Sequence, residues 1–180
     1  MTLEEMKQKV YSLIEEYSED ADDLTEDEDL AAKMNSVINQ IQNELARFKK
    51  LTASTTMEVT EGQEISMSDI ADDIYQLNII RGVDYDTIGD IIIFNENGTA
   101  NVYYYRYPAQ IDSDTDDSFT IELTTDLLEI MPYGVAGDLL KSDVSSNYGE
   151  IYSNRYKEMI SQLDPRYGMG GIYIEGGIDV

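Results

Sequence analysis

Apolar residues recur at spacings of three and four in four segments of the chain, and this periodicity predicts four amphipathic helices. The four segments lie within residues 2–17, 30–48, 125–140 and 148–163. The first opens with Thr2 and Glu5 in the Thr-x-x-Glu pattern of a capping box. We expect the first two helices to pair as an antiparallel hairpin.

The third predicted helix contains a proline and several small residues. Pro132 either kinks this helix or begins its longer part, because proline lacks the N–H that a helix interior needs. Gly134, Ala136 and Gly137 leave room for another helix to approach closely. Asp164 and the proline after it end the fourth helix.

The region between the two helix pairs predicts β-structure. Short strands are expected at residues 57–60, 74–83 and 119–123, where apolar and polar residues alternate. A hairpin is expected over residues 90–107, because its Asn95–Gly98 segment carries the Asn-Gly dipeptide favoured in tight hairpin turns.

These elements predict an α+β fold, described as a mainly helical bundle with a small antiparallel β region inserted between an N-terminal and a C-terminal helix pair. Residues 1–164 are expected to form a single domain, and residues 165–180 a glycine-rich C-terminal arm. Within the arm, Ile172, Tyr173 and Ile174 alternate as in a strand. This segment either adds a strand to a partner or is an ordinary frayed terminus.

Tyrosine is abundant, with 14 residues, and the run 103–107 places aromatic rings on both sides of one strand. One side can pack inward. On the other, Tyr103 and Tyr105 are candidates for docking a partner, because tyrosine is enriched at interfaces. The alternative is a strand buried on both sides.

Charge and missing residue types narrow the possible functions. The chain has 37 acidic and 12 basic residues, a formal net charge of -25, which disfavours binding to nucleic-acid phosphates or anionic lipid. It has no Cys and no His, so disulfides, thiol nucleophiles and the commonest general base and zinc ligand are absent.

No catalytic, metal-binding or cofactor-binding residues are predicted. The segment beginning at Asp112 opens like a calcium-binding loop, but Asp117 and Leu123 stand where glycine and glutamate are required. We therefore expect a protein that is not an enzyme and has no cofactor. No secretory signal and no apolar segment of membrane-spanning length is visible, which favours the cytoplasm.

The order of three sequence elements suggests a family. A strand ending in VYYYRYPAQI is followed by the proline-containing helix DLLEIMPYGVAGDLLKSD and the tyrosine-rich helix YGEIYSNRYKEMISQL. This order resembles the head–tail adaptor (connector or head-completion) proteins of tailed bacteriophages, in which YYRYP, LLPYYVAAxLL and NxYxxxL patterns recur. Residues 127–140 and 154–160 match the two helices, but Gly134 and Gly137 stand where that family often has larger residues or alanine.

The resemblance implies a structural protein whose copies assemble into a homo-oligomeric ring with twelve-fold symmetry. In this family the isolated chain can be a monomer before assembly. The ring would dock on the portal protein, contact a tail or stopper protein, and let DNA pass without specific binding. It implies a chain made in the bacterial host cytoplasm and located in the virion neck, with no membrane partner. Two other hypotheses remain: an acidic DNA mimic or inhibitor that binds a basic partner, and a carboxylate-based hydrolase that uses a divalent metal.

Overall fold

The computed structural model describes residues 1–15, 28–142 and 147–163, which form four helices and six strands. The helices are α1 (Leu3–Glu15), α2 (Glu28–Leu45), α3 (Thr125–Leu139) and α4 (Tyr148–Ser161). The strands are β1 (Leu51–Val59), β2 (Glu64–Ser66), β3 (Ile74–Arg81), β4 (Tyr85–Ile88), β5 (Ile91–Phe94) and β6 (Gly98–Arg106). In the part of the chain so described, no helix combines the length and apolar character needed to cross a bilayer.

The helical unit is organised around α3, against which α1, α2 and α4 all pack. Nine residues of α3 are buried, so this helix is apolar on several sides and can take a neighbour on each. The expected antiparallel pairing of the first two helices is wrong, because α1 and α2 make their main contacts with α3 rather than with each other. Their apolar stripes meet in one core that also includes the buried rings of Tyr152 and Tyr156 on α4.

The close approach expected at the small residues of α3 is confirmed. A Cβ atom added to Gly134 would lie 2.9 Å from the Tyr156 ring, and one added to Gly137 would lie 2.9 Å from the backbone nitrogen of Ser153. These two glycines therefore allow α4 to lie directly against α3. Pro132 lies in the interior of α3, so the alternative in which it begins a separate helix is wrong.

The β region is much larger than predicted and forms a second structural unit. Two three-stranded antiparallel sheets, in the orders β1-β6-β3 and β2-β5-β4, share a hydrophobic core separate from the helical one. Phe94, Val102 and Tyr104 are among its buried residues. The prediction of a mainly helical bundle with a small β insertion is therefore wrong, and α+β describes the fold only loosely. The cause is that much of β1 is Thr and Ser, which gives little contrast between apolar and polar positions, and that β2 and β4, of three and four residues, are too short to show a period.

The hairpin expected over residues 90–107 does not form, although both of its strands do. β5 pairs with β2 and β4, whereas β6 pairs with β1 and β3, so the Asn-Gly segment carries the chain from one sheet to the other. The Asn97 side chain accepts a hydrogen bond of 2.9 Å from the backbone N–H of Glu61, which fixes this crossing. The true hairpin is β4–β5, which turns through Gly89 (φ 62°) and Asp90, an arrangement typical of a type II′ turn.

The strand expected at residues 119–123 is reduced to one bridge, between Thr120 and Thr2. Its backbone is used to cover the start of α1, where the Leu3 N–H donates to the Phe119 carbonyl at 2.8 Å. A few backbone hydrogen bonds to residues 1–4 thus take the place of a regular strand ladder here.

Two polar clamps hold the segment that leads from β6 back to the helices. Asn39 of α2 donates to the Ile111 carbonyl (2.7 Å) and accepts from the Ile111 N–H (2.8 Å), as a neighbouring strand would. Arg106, the last residue of β6, donates two hydrogen bonds of 2.9 Å to Glu122, which also accepts one from the Ala109 N–H. Together they anchor the β unit to the helical unit.

Candidate interaction surface

The sheet β1-β6-β3 has one buried and one open face. Along β6, Tyr104 points into the core with 7% of its surface exposed, whereas Tyr103 on the opposite face is 39% exposed. Tyr103 lies opposite Ser54 of β1 and Ile79 of β3, and Tyr105 lies on the same face because strand side chains alternate. The alternative of a strand buried on both sides is therefore wrong for Tyr103.

Four tyrosine rings and three basic side chains cluster on this open face, and we call them the tyrosine face. Tyr75 bridges two of the other rings, with centroids 6.4 Å from Tyr105 and 4.9 Å from Tyr107. Burial is the main cause that raises the pKa of Tyr75, and the nearby hydroxyls of Tyr105 and Tyr107 raise it further. The Tyr75 side chain therefore stays neutral. The members of the tyrosine face are Arg47, Lys50, Tyr75, Arg81, Tyr103, Tyr105 and Tyr107.

Each basic residue of the tyrosine face lies over one ring. The Lys50 ammonium is 4.3 Å from the centroid of Tyr105 and donates to the Gln76 side chain. The Arg81 guanidinium lies 5.7 Å from the Tyr103 ring. Arg47 lies 5.8 Å from the Tyr107 ring and donates to its hydroxyl at 2.9 Å. These distances are those of cation–π contacts, each worth about 0.5–1 kcal/mol when exposed.

The basic residues of the tyrosine face differ from most others in the chain. Six basic residues elsewhere form ion pairs with carboxylates: Lys7, Lys9, Lys49, Arg106, Lys141 and Arg155. Within residues 1–15, 28–142 and 147–163, the three on the tyrosine face have no carboxylate within 4 Å, as is also true of Lys33 and Lys157. In a chain with 37 acidic residues, this face therefore presents positive charge held by rings and amides.

The structure brings together two of the five predicted docking residues. Tyr103 and Tyr105 lie side by side on the tyrosine face, whereas Ile172, Tyr173 and Ile174 fall outside the described residues. The basic residues of this face are not predicted by the sequence pattern. Its only signal was position, since Lys50 directly precedes β1 and Arg81 ends β3.

A second surface, of opposite charge, lies on the helical unit. The acidic loop, residues 112–117, is exposed apart from the half-buried Thr115 and carries four aspartates. Asp112 accepts hydrogen bonds of 2.9 Å from the Thr115 hydroxyl and from the Asp114 N–H, so the loop is ordered by its own side chains. These hydrogen bonds lower the pKa of Asp112, and the bond from the Thr115 hydroxyl has the largest effect. Hydrogen bonds from Ser118 lower the pKa of Asp116 in the same way.

A cavity of about 830 Å³ lies between α2, α3 and α4 and includes Glu44, Asp138 and Tyr156 among its lining residues. Burial, and to a lesser degree the nearby carboxylate of Glu44, raises the pKa of Tyr156, whose hydroxyl has no hydrogen-bond partner in the described part of the chain. No three acidic side chains among the described residues converge on a point where a metal ion could be held.

Two isoleucines at the β4–β5 turn are also exposed, Ile88 at 65% and Ile91 at 42%. They flank Gly89 and Asp90 at the tip of the hairpin. They form a small apolar tip on an otherwise polar edge.

No protein-family model matches the chain, and no curated protein has a detectable sequence similarity to it.

Proposed function

We propose that this chain is a structural assembly component, without catalytic activity, that forms a ring acting as a head–tail adaptor in the neck of a tailed bacteriophage. The observation that carries the proposal is that one subunit has two unlike surfaces, the tyrosine face on the β unit and the acidic loop on the helical unit. A closed ring is built from heterologous contacts, which need two different surfaces on each copy. The family resemblance supports the same class of protein.

The charge of the chain fits this role. In a ring, a net charge of -25 per copy would surround a channel with carboxylates, and these repel the phosphates of a passing duplex. Repulsion of this kind keeps DNA moving through a channel without specific binding. The basic residues of the tyrosine face then belong at a protein contact, away from the DNA.

The experiment is to incubate the purified chain with the portal protein of the same virus and to image the product by electron microscopy. The proposal expects an additional ring stacked on one end of the portal, with the portal's twelve-fold symmetry. A portal that stays bare at a large excess of the chain would refute it.

The control for the same experiment is a basic DNA-binding protein in place of the portal. An acidic DNA mimic would bind this protein in a fixed ratio and leave the portal bare. That result would replace the adaptor with the inhibitor hypothesis.

A further inference from the structure

The tyrosine face has positive charge that no carboxylate in the described part of the chain pairs with. Lys50 and Arg81 lie over Tyr105 and Tyr103 and have no carboxylate within 4 Å in the part of the chain that the structure describes. Aromatic rings shield one side of each cation from water, so the other side remains open to an anionic group. A carboxylate that binds there would gain more than it would at a fully solvated lysine.

The acidic loop has the complementary properties. Its aspartates are exposed, and among the described residues the carboxylate of Asp114 accepts one hydrogen bond, from the Ser113 hydroxyl at 3.4 Å. The loop is held to α2 by Asn35, which donates to the Asp112 carbonyl at 3.0 Å. A loop that is already ordered loses little conformational entropy on binding.

We propose that the tyrosine face of one copy binds the acidic loop of the next copy, and that this contact is the subunit interface of the ring. The inference rests on the proposed function and names the contact that builds the assembly. The face lies on the β unit and the loop on the helical unit, so the contact is heterologous and leaves a free face and a free loop for further copies.

The net charge of the chain also shapes this contact. Two copies of charge -25 repel each other at distances comparable to the Debye length, about 8–10 Å at physiological salt. Local attraction between face and loop must exceed this repulsion. Association therefore needs high concentration or a template that raises the local concentration, as a portal would.

The test uses cross-linking, because the chain has no cysteine and any introduced thiol is unique. Ser54 lies on the open face opposite Tyr103, and Ser113 lies in the acidic loop, and both are exposed. The variant Ser54→Cys/Ser113→Cys, concentrated and treated with a short bismaleimide, is expected to give a ladder of dimers, trimers and larger species. The matched control Ser12→Cys/Ser113→Cys, with its first thiol at an exposed position of α1, is expected to give no ladder.

The single variant Ser54→Cys decides between two kinds of contact. A heterologous contact gives no dimer with one thiol on the face alone. Abundant dimers from this variant would mean that two tyrosine faces bind each other, and would overturn the proposal. A ladder no stronger than that of the control would also overturn it.

Charge reversal tests the chemistry of the interface. Adding Lys50→Glu and Arg81→Glu to the two-cysteine variant should reduce the ladder roughly tenfold or more, because like charges would then face each other. Adding Lys9→Glu and Lys157→Glu, which makes the same change in net charge on the helical unit, should leave it unchanged. Equal ladders from both would contradict the proposal.

Failure of this inference can be told apart from failure of the proposed function. If the chain forms rings on the portal and the Ser54 and Ser113 thiols do not cross-link there, the adaptor stands and the interface is wrong. If the ladder forms and the portal stays bare, the interface stands and the adaptor is wrong. Binding of single-stranded oligothymidylate that Lys50→Glu/Arg81→Glu abolishes would assign the face to nucleic acid and overturn the inference.

Discussion

Replacing Asn39 by leucine tests how the returning chain is anchored on α2. The Asn39 amide makes a paired contact with the backbone of Ile111, at 2.7 and 2.8 Å, and also accepts from the Gln42 side chain at 2.9 Å. Leucine has the same number of side-chain heavy atoms in the same branched shape but no polar group. The substitution therefore leaves the N–H and the carbonyl of Ile111, a residue only 3% exposed, without their partners.

The expected cost follows from these two groups. A buried backbone group that loses its partner costs about 1–3 kcal/mol, and leucine recovers about 0.5 kcal/mol through its better helix propensity. Because Asn39 itself is only half-buried, water can reach part of the gap, so we expect a loss of about 2–4 kcal/mol in the free energy of unfolding. This corresponds to a fall in Tm of roughly 5–12 °C.

The assay is urea and thermal unfolding followed by circular dichroism, with Asn43→Leu as the control. Asn43 lies on the same helix, four residues further on, and within the described residues its side chain accepts one hydrogen bond, of 3.3 Å from Gln110. This control should lose less than about 1 kcal/mol. The reasoning fails if the two variants have the same stability, because the paired contact at Asn39 would then contribute nothing.

Three further predictions address other parts of the fold. The hydrogen bond from Arg106, opposed by burial, lowers the pKa of Glu122. The ionised carboxylate therefore stabilises the fold above the unfolded pKa, and this stabilisation is lost as the pH falls through the folded pKa. Glu122→Gln should therefore cost about 1–2 kcal/mol at pH 7 and progressively less as the pH is lowered below the unfolded pKa, measured by urea unfolding across this pH range. Gly82→Ala should cost at least about 1 kcal/mol more than Gly89→Ala by thermal unfolding, since φ is positive at both but a Cβ at Gly82 would lie 2.4 Å from a backbone carbonyl oxygen. Tyr152→Phe removes a 2.6 Å hydrogen bond to the Leu13 carbonyl and should lower the free energy of unfolding by about 1 kcal/mol, measured with urea. Tyr156→Phe removes a buried hydroxyl with no hydrogen-bond partner among the described residues, so it should leave this free energy unchanged or raise it.

The helices were predictable from the sequence because their information is local. Each apolar stripe repeats within one segment, and all four predicted helices are present, with ends that differ by a few residues. Which helices pack against each other was not predictable, because it depends on α3 being apolar on several sides and so able to contact all three of the others. The proline inside that helix suggested an interruption, whereas burial against three neighbours keeps it continuous.

The sheets show the opposite case. Strand pairing depends on contacts far apart in the chain, so Asn-Gly was interpreted as a hairpin turn when it is the crossing between two sheets. A local signal for the true hairpin did exist, since Gly89-Asp90 lies between Ile88, which ends β4, and the three isoleucines that begin β5. The long β1 carries many threonine and serine residues, and only its register with Tyr103 and Tyr105 shows that it completes a sheet.

The candidate interaction surface was half predictable. The alternation of the tyrosine run indicated that Tyr103 and Tyr105 share a face. Their basic neighbours come from the end of β3 and from the segment before β1, and only the folded register brings them over the rings. Sequence alone therefore indicated an aromatic surface but gave no sign of its charge.

The central claim is that copies of this chain assemble in a fixed number on a portal. Native mass spectrometry of the purified portal, before and after incubation with the chain, measures this number directly. Twelve chains of 20.4 kDa would add about 245 kDa to the mass of the portal. An unchanged portal mass, or a broad distribution of added masses with no preferred number, would contradict the account.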